Sequence, residues 1–108
     1  MRKEERRIET IKKAISNLGP MLPGSISQQF NVCGTPGCKC KDPKKPKKHG
    51  PYYQLSYSIK GKSSSFFIKK EMLAEAKRRV KRFHDFKQLS TELAQASVDW
   101  VRKHGFEQ

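Results

Sequence analysis

Acidic side chains are scarce in this 108-residue sequence, where 10 Asp and Glu stand against 24 Lys and Arg, a formal net charge of +14. A surplus that large opposes compaction unless an anionic partner or counterions neutralise it, and it exceeds what solubility needs. Long apolar runs are missing too. No stretch approaches the roughly 20 residues that cross a bilayer, and the opening MRKEERRIETIKK lacks the apolar segment of a secretory signal. The expectation is a cytoplasmic protein with no membrane partner. Cysteine is limited to three residues, which cannot all pair, and reducing compartments keep thiols free. Metal ligation or simple burial is therefore expected in place of a disulfide framework. Paired carboxylates, a phosphate-binding loop and a nucleophile beside a base are all absent from the sequence, so catalysis is not expected.

What remains is enough for one domain, residues 1–108, with a modest core, because so short a chain leaves much of its surface wet. Charge is unevenly placed: residues 1–13 carry six basic and three acidic side chains, 39–82 carry fifteen and three, and 83–108 carry three and four. Ile8, Ile11, Ala14, Ile15 and Leu18 recur at the period of one helix face, predicting an N-terminal helix within residues 1–19 that Gly19 and Pro20 stop. Ile26, Gln28 and Phe30 alternate loosely and predict a short strand from Ser25 to Val32. YYQLSYSI sets Tyr53, Leu55, Tyr57 and Ile59 on one side of a strand and Tyr52, Gln54, Ser56 and Ser58 on the other. Lys60 and Gly61 can turn the chain so that KSSSFFI returns as the second arm of a hairpin. The strand, cysteine loop and hairpin thus fill residues 22–70. Neither Pro nor Gly interrupts residues 62–104, and Leu73, Ala76, Val80, Phe83, Phe86, Leu89, Leu93, Ala96 and Trp100 keep helical spacing. A helix of about 30 residues is expected over 70–104, roughly 45 Å long. Its distal half needs an apolar cover, either the N-terminal helix or a second copy of the chain. The fold class is α+β: an N-terminal helix, a small antiparallel sheet with a zinc-knuckle-like loop, and a long C-terminal helix.

The segment CGTPGCKCKDPKKPKKHGPYY holds every cysteine of the chain. Cys33, Cys38, Cys40 and His49 supply the ligand types and the count that one tetrahedral structural Zn²⁺ takes, although C-x4-C-x-C-x8-H departs from the common pairs two residues apart. Glycines at 34 and 37 ease the sharp turn this spacing demands. The bland alternative is one or two buried thiols and an ordinary loop histidine. A redox pair is disfavoured because no helix N-terminus adjoins the thiols. Zinc catalysis would need an open position and a general base, and the loop offers only Asp42. His84 and His104 lack neighbouring ligand types and are read as surface or interhelical residues.

Lys39, Lys41, Lys44, Lys45, Lys47 and Lys48 surround the expected metal site, while Lys69, Lys70, Lys77, Arg78, Arg79, Lys81 and Arg82 crowd the start of the long helix. Many such groups can meet phosphates together, which makes binding strong at low salt and weak at high salt. Tyr52, with Phe66 or Phe67 from the hairpin, can add stacking on unpaired bases; the alternative is that these aromatics are core and the lysines a solvated face.

PGSISQQF, CGTPGCKC, HGPYYQLSY with GKSSSFFI, and KRRVKRFHDFKQLSTELAQ, in that order, resemble a family of small prokaryotic domains of unknown function, often found among transposon-associated proteins. The resemblance covers roughly Leu22 to Leu93 and is carried mainly by CGTPGCKC and HGPYY. It implies a strand, a cysteine loop, a hairpin and a long helix, and a link to mobile DNA, without implying an activity. It singles out Cys33, Gly34, Gly37, Cys38, Cys40, His49, Gly50, Pro51 and Tyr52. The insert KDPKKPKK is longer and richer in lysine than that pattern leads one to expect. The sequence thus points to a non-enzymatic nucleic-acid-binding accessory module with a structural zinc, with DNA ahead of RNA as partner and transposition or recombination as its setting. The competing reading is a protein-interaction or oligomerisation module, its C-terminal helix meeting a second copy or its lysines an acidic protein.

Overall fold

The computed structural model describes residues 2–31, 35–44 and 47–106. Helix α1 (Lys3–Ser16) is followed by strands β1 (Ser25–Asn31), β2 (His49–Ile59) and β3 (Lys62–Ile68), and then by helix α2 (Leu73–His104). Short 3₁₀ turns at Lys39–Lys41 and Lys70–Met72 precede β2 and α2. The three strands form one antiparallel sheet in the order β1-β2-β3. This is the α+β arrangement expected from the patterning. No helix among the described residues is long and apolar enough to cross a membrane. Backbone contacts gather the chain into two compact units, residues 1–22 with 79–108, and residues 23–78.

In the first unit, α1 lies antiparallel to the distal part of α2. Glu4 meets Lys103 and His104, Arg7 meets Asp99 at 3.1 Å, and Arg82 donates to the Pro20 carbonyl at 3.0 Å. The apolar positions do what their spacing predicted: Ile11, Ala96 and Trp100 are buried, and Ile8, Leu18, Leu89 and Leu93 are half-buried. Ile8 and Trp100 line one groove, and Ala14, Leu18 and Leu89 another. Of the two covers that the sequence allowed for the distal half of α2, α1 is the one in place. Helix α1 ends at Ser16, ahead of the expected limit at residue 19. The Asn17 N–H makes the last helical bond, to the Lys13 carbonyl, and the Ser16 hydroxyl donates to that same carbonyl at 3.0 Å, the side-chain competition with helical bonding that serine brings. Helix α2 runs 32 residues, about 48 Å, beginning after the 3₁₀ turn at Lys70–Met72 and so slightly later than expected.

In the second unit β2 is the central strand. Leu55 pairs with Ile26 on one side and Phe66 on the other. These three, with Tyr53, Tyr57 and Ile68, belong to the inner face, where Leu55 is fully buried. Tyr52, Gln54, Ser56, Ser27, Gln29, Ser65 and Phe67 belong to the other face, which is open to solvent apart from half-buried Gln29 and Gln54. A Cβ on Gly24 would overlap the Ser56 carbonyl oxygen, so the chain can enter β1 this close to β2 only with glycine there. Lys60 (φ 52°) and Gly61 (φ 79°) close the hairpin with two left-handed residues, the pattern that matches strand twist.

Two details differ from the alternation expected. Phe30 is 52% exposed where the register shifts between Gln29 and Asn31, as a bulge re-aims the side chains at and beyond it; Gln29, still in regular register opposite Tyr52, is half-buried on the other face. Ile59, placed on the inner side by sequence, is 53% exposed at the hairpin end. Val32, the last residue of the expected first strand, lies outside the described residues.

The Glu4 carboxylate accepts from Lys103 Nζ at 2.8 Å and lies 3.3 Å from His104 Nε2. The Lys103 hydrogen bond, then a backbone N–H and His104, hold its pKa at about 2 against an ordinary 4.5. The folded value lies below the ordinary one, so this contribution is complete above pH 4.5 and drains away as pH falls towards about 2. Lys103 is raised by the same hydrogen bond, so its part persists through neutral pH and is lost only in strong alkali. Glu4→Gln should therefore melt below the parent at neutral pH, and the two melting curves should converge as pH falls through that acid window. Thermal unfolding followed by circular dichroism checks this; curves that stay parallel contradict it.

Candidate functional site

The site begins with the turn Thr35–Pro36–Gly37–Cys38. The Cys38 N–H donates to the Thr35 carbonyl at 3.4 Å, and Gly37 has φ 77°. Proline in the second position and a left-handed glycine in the third make a type II turn, the sharp bend that the cysteine spacing called for. The chain then enters the 3₁₀ turn at Lys39–Lys41, where the Lys41 N–H donates to the Cys38 carbonyl at 3.0 Å. Cys40 sits inside this turn and is 2% exposed, deeper than any other described side chain of the loop. The Lys47 N–H donates back to the Lys39 carbonyl at 2.8 Å, folding the lysine-rich insert onto itself so that His49 arrives at the head of β2. There His49 pairs with Asn31 of β1.

These two turns and one strand end bring three of the four expected metal ligands together. Cys38 Sγ lies 3.2 Å from His49 Nε2, and the ligand atoms of Cys38, Cys40 and His49 all lie within 4.8 Å of one another. Around a tetrahedral zinc, Zn–S bonds near 2.3 Å and Zn–N bonds near 2.0 Å place neighbouring ligand atoms about 3.5 to 3.8 Å apart. The cluster is thus close enough to hold a metal ion. Despite the insert KDPKKPKK, His49 reaches the thiols of Cys38 and Cys40, and a backbone bond joins Lys47 to Lys39. Cys33, also expected as a ligand, and Gly34 lie outside the described residues. Asp42, the one carboxylate of the loop, accepts the Lys44 N–H at 2.9 Å, which caps its own turn.

The expected cationic residues fall into three sets. Lys39, Lys41, Lys44, Lys47 and Lys48 are exposed on the cysteine loop; Lys45 lies outside the described residues. Lys69 and Lys70 are exposed just past β3. Because Tyr53 pairs with Ile68, the start of β2 and the end of β3 lie towards the same end of the sheet; Lys69 and Lys70 follow Ile68, and Lys47 and Lys48 precede His49, the first residue of β2. Lys77 is exposed on α2. Of the remainder, Arg78 bonds Glu75 at 2.8 Å, Lys81 bonds Asp85 at 3.1 Å, half-buried Arg82 holds the Pro20 carbonyl, and Arg79 is half-buried.

Sequence reasoning left open which of Phe66 and Phe67 accompanies Tyr52. The register answers it. Phe67 shares the open face with Tyr52, their ring centroids 6.4 Å apart and nearly edge to face, whereas Phe66 meets Tyr57 on the inner face at 6.1 Å. Adjacent phenylalanines always point to opposite faces of a strand; only the pairing register tells which is which. The amide row described below was missed, since Gln29 and Gln54 stand 25 residues apart and nothing local links them.

A family model described as a domain of unknown function, DUF6788, matches residues 1–78. The chain belongs to this DUF6788 family. The match takes in α1, all three strands and the Cys38–Cys40–His49 cluster, and stops six residues into α2. No curated protein and no solved structure matches the chain.

If the cluster holds metal, protein purified without added metal should carry close to one equivalent by elemental analysis. Cys40→Ser should lose it and melt at least about 5 °C lower, the shift that roughly 1 kcal/mol makes in a domain of this size. Unchanged melting of the parent after chelation would mean a bare thiol loop.

Proposed function

We propose that this DUF6788 chain is a non-enzymatic nucleic-acid-binding accessory module whose basic loop is closed by one structural zinc ion. The observation that carries the reading is that Lys47, Lys48, Lys69 and Lys70 are all exposed and flank the strand ends that lie towards one end of the sheet. Exposed cations from two chain segments, in a molecule of net charge +14, are suited to a row of phosphates. Tyr52 lies towards the same end of β2, and exposed Lys39, Lys41 and Lys44 add to the charge of the cysteine loop.

Zinc is the metal of choice for a set of thiolates and an imidazole, with Cys33 as the fourth ligand beside Cys38, Cys40 and His49. A filled site of this kind stabilises a fold outright, by about 10 kcal/mol of apparent binding free energy in small zinc domains. Its own residues favour a closed, structural role: Cys40 is buried, and Asp42 is committed to its turn in place of acting as a base. DNA stands ahead of RNA as partner on the resemblance to transposon-associated domains, which also supports a cytoplasmic role in transposition or recombination.

The test compares Lys47→Ala, Lys48→Ala, Lys69→Ala and Lys70→Ala, combined in one variant, with the parent. For every lysine–phosphate pair that the variant removes, the salt dependence of log K should flatten by about 0.9 for duplex DNA and about 0.7 for single strands. Binding should weaken alike across sequences, because backbone contacts position a protein without reading bases. Lys12→Ala with Lys13→Ala on α1 should leave the slope unchanged. No binding by the parent at about 50 mM salt and micromolar protein would refute the reading, since non-specific binders typically reach about 10⁻⁴ to 10⁻⁶ M under harsher conditions.

A further inference from the structure

The open face of the sheet has a composition that neither core packing nor solubility explains. Tyr52 is 42% exposed and Phe67 63% exposed, on adjacent strands of a face otherwise built of Ser and Gln. An apolar ring left in water costs free energy that a polar residue would not, and here two of them stand side by side. The floor beneath them is tied across all three strands. Gln29 Nε2 donates to Gln54 Oε1 at 2.6 Å and to Ser27 Oγ at 3.4 Å, and Gln54 Nε2 donates to Ser65 Oγ at 2.9 Å. This row fixes the face on a rigid element, which is what a preorganised binding surface requires.

We infer that this face is a stacking platform for unpaired bases, and that the ligand of the module is single-stranded nucleic acid, with Tyr52 and Phe67 as its two rings. The inference rests on the nucleic-acid reading above and narrows it. Two aromatics on neighbouring strands of an open sheet are the means by which sheet-based readers stack successive bases. Cations flank both rings along the chain: exposed Lys47 and Lys48 come just before β2, which carries Tyr52, and exposed Lys69 and Lys70 come just after β3, which carries Phe67. A duplex hides its base faces in the helical stack, so it can use the lysines but not the rings. A protein partner would need a wider apolar patch than two rings set among hydroxyls and amides, and would have to meet that rim of positive charge. The amides of Gln29 and Gln54 bond within the face, and stacking needs only the π surface that every base has. Binding is accordingly tolerant of sequence.

The experiment is fluorescence anisotropy of the full chain with labelled oligo(dT) and oligo(U) of about 16 nucleotides, the upper end of the usual site size, and with a duplex of the same length. Tyr52→Ala and Phe67→Ala should each weaken single-strand binding by about 5- to 150-fold while leaving the salt slope and duplex binding unchanged. Tyr52→Phe should retain the affinity, which separates stacking from a hydrogen bond or a folding defect, and Phe106→Ala outside the sheet should have no effect. The two oligonucleotides show whether the strand bound is DNA or RNA. Single-strand binding that survives both alanine substitutions, or falls in step with duplex binding, overturns the platform and leaves the cationic surface standing. Absence of binding to every nucleic acid overturns both readings. If the substitutions instead dissociate an oligomer in sedimentation while nucleic-acid binding holds, the face is a protein interface and the inference is wrong.

Discussion

The alternation of β2 is the constraint on which the rest depends. Successive side chains of a strand point to opposite faces, and a slip of one residue would exchange them all. Leu55, buried completely between Ile26 and Phe66, locks that alternation, because a one-residue slip would turn it to water. Once Leu55 is inward, Tyr52 and Gln54 must be outward, and Phe67, opposite Gln54, must be outward with them. The same strand begins at His49, so the register that seats the core also sets the height at which the imidazole meets Cys38. Core, candidate metal cluster and open face are consequences of one pairing.

Positive charge works in opposition. The loop that brings Cys38 and Cys40 to His49 is also where lysines are densest, and their mutual repulsion favours an extended loop. Against it stand the type II turn at Pro36–Gly37, the 3₁₀ turn around Cys40 and the Lys47–Lys39 backbone bond, each worth on the order of 1 kcal/mol. The proposed zinc would stabilise the closed loop far more strongly than any of these, and its bound thiolates would place negative charge among the lysines. The metal and the basic surface would then be linked: the ion would hold in one place the cations that a phosphate backbone would meet.

Much of this was legible in the sequence. The helical stripes of α1 and α2 were read position by position, since helical period is a local signal that many residues repeat. The hairpin was marked by Lys60–Gly61 between two alternating runs. Cys38, Cys40 and His49, singled out by residue type, come within 4.8 Å of one another. What the sequence could not supply was pairing across distance. The bulge at Gln29–Asn31, which turns Phe30 outward, depends on how β1 meets β2, and the choice between Phe66 and Phe67 depends on how β2 meets β3. The Glu4–Lys103 pair joins residues 99 apart, with no pattern between them to announce it. Charge runs were equally ambiguous: Arg82 and Lys77 read alike in sequence, yet the guanidinium of Arg82 holds the Pro20 carbonyl and Lys77 faces solvent.

The central claim is that one end and one face of the sheet form the nucleic-acid surface. Backbone amide chemical shifts, followed by NMR while unlabelled oligo(dT) is titrated into the zinc-loaded chain, test it most directly. The account predicts shifts concentrated at Tyr52, Gln54 and Phe67 and at Lys47, Lys48, Lys69 and Lys70, with the inner-face residues and α1 little changed. Shifts confined to α1 and the distal turns of α2, or none at saturating oligonucleotide, would contradict it.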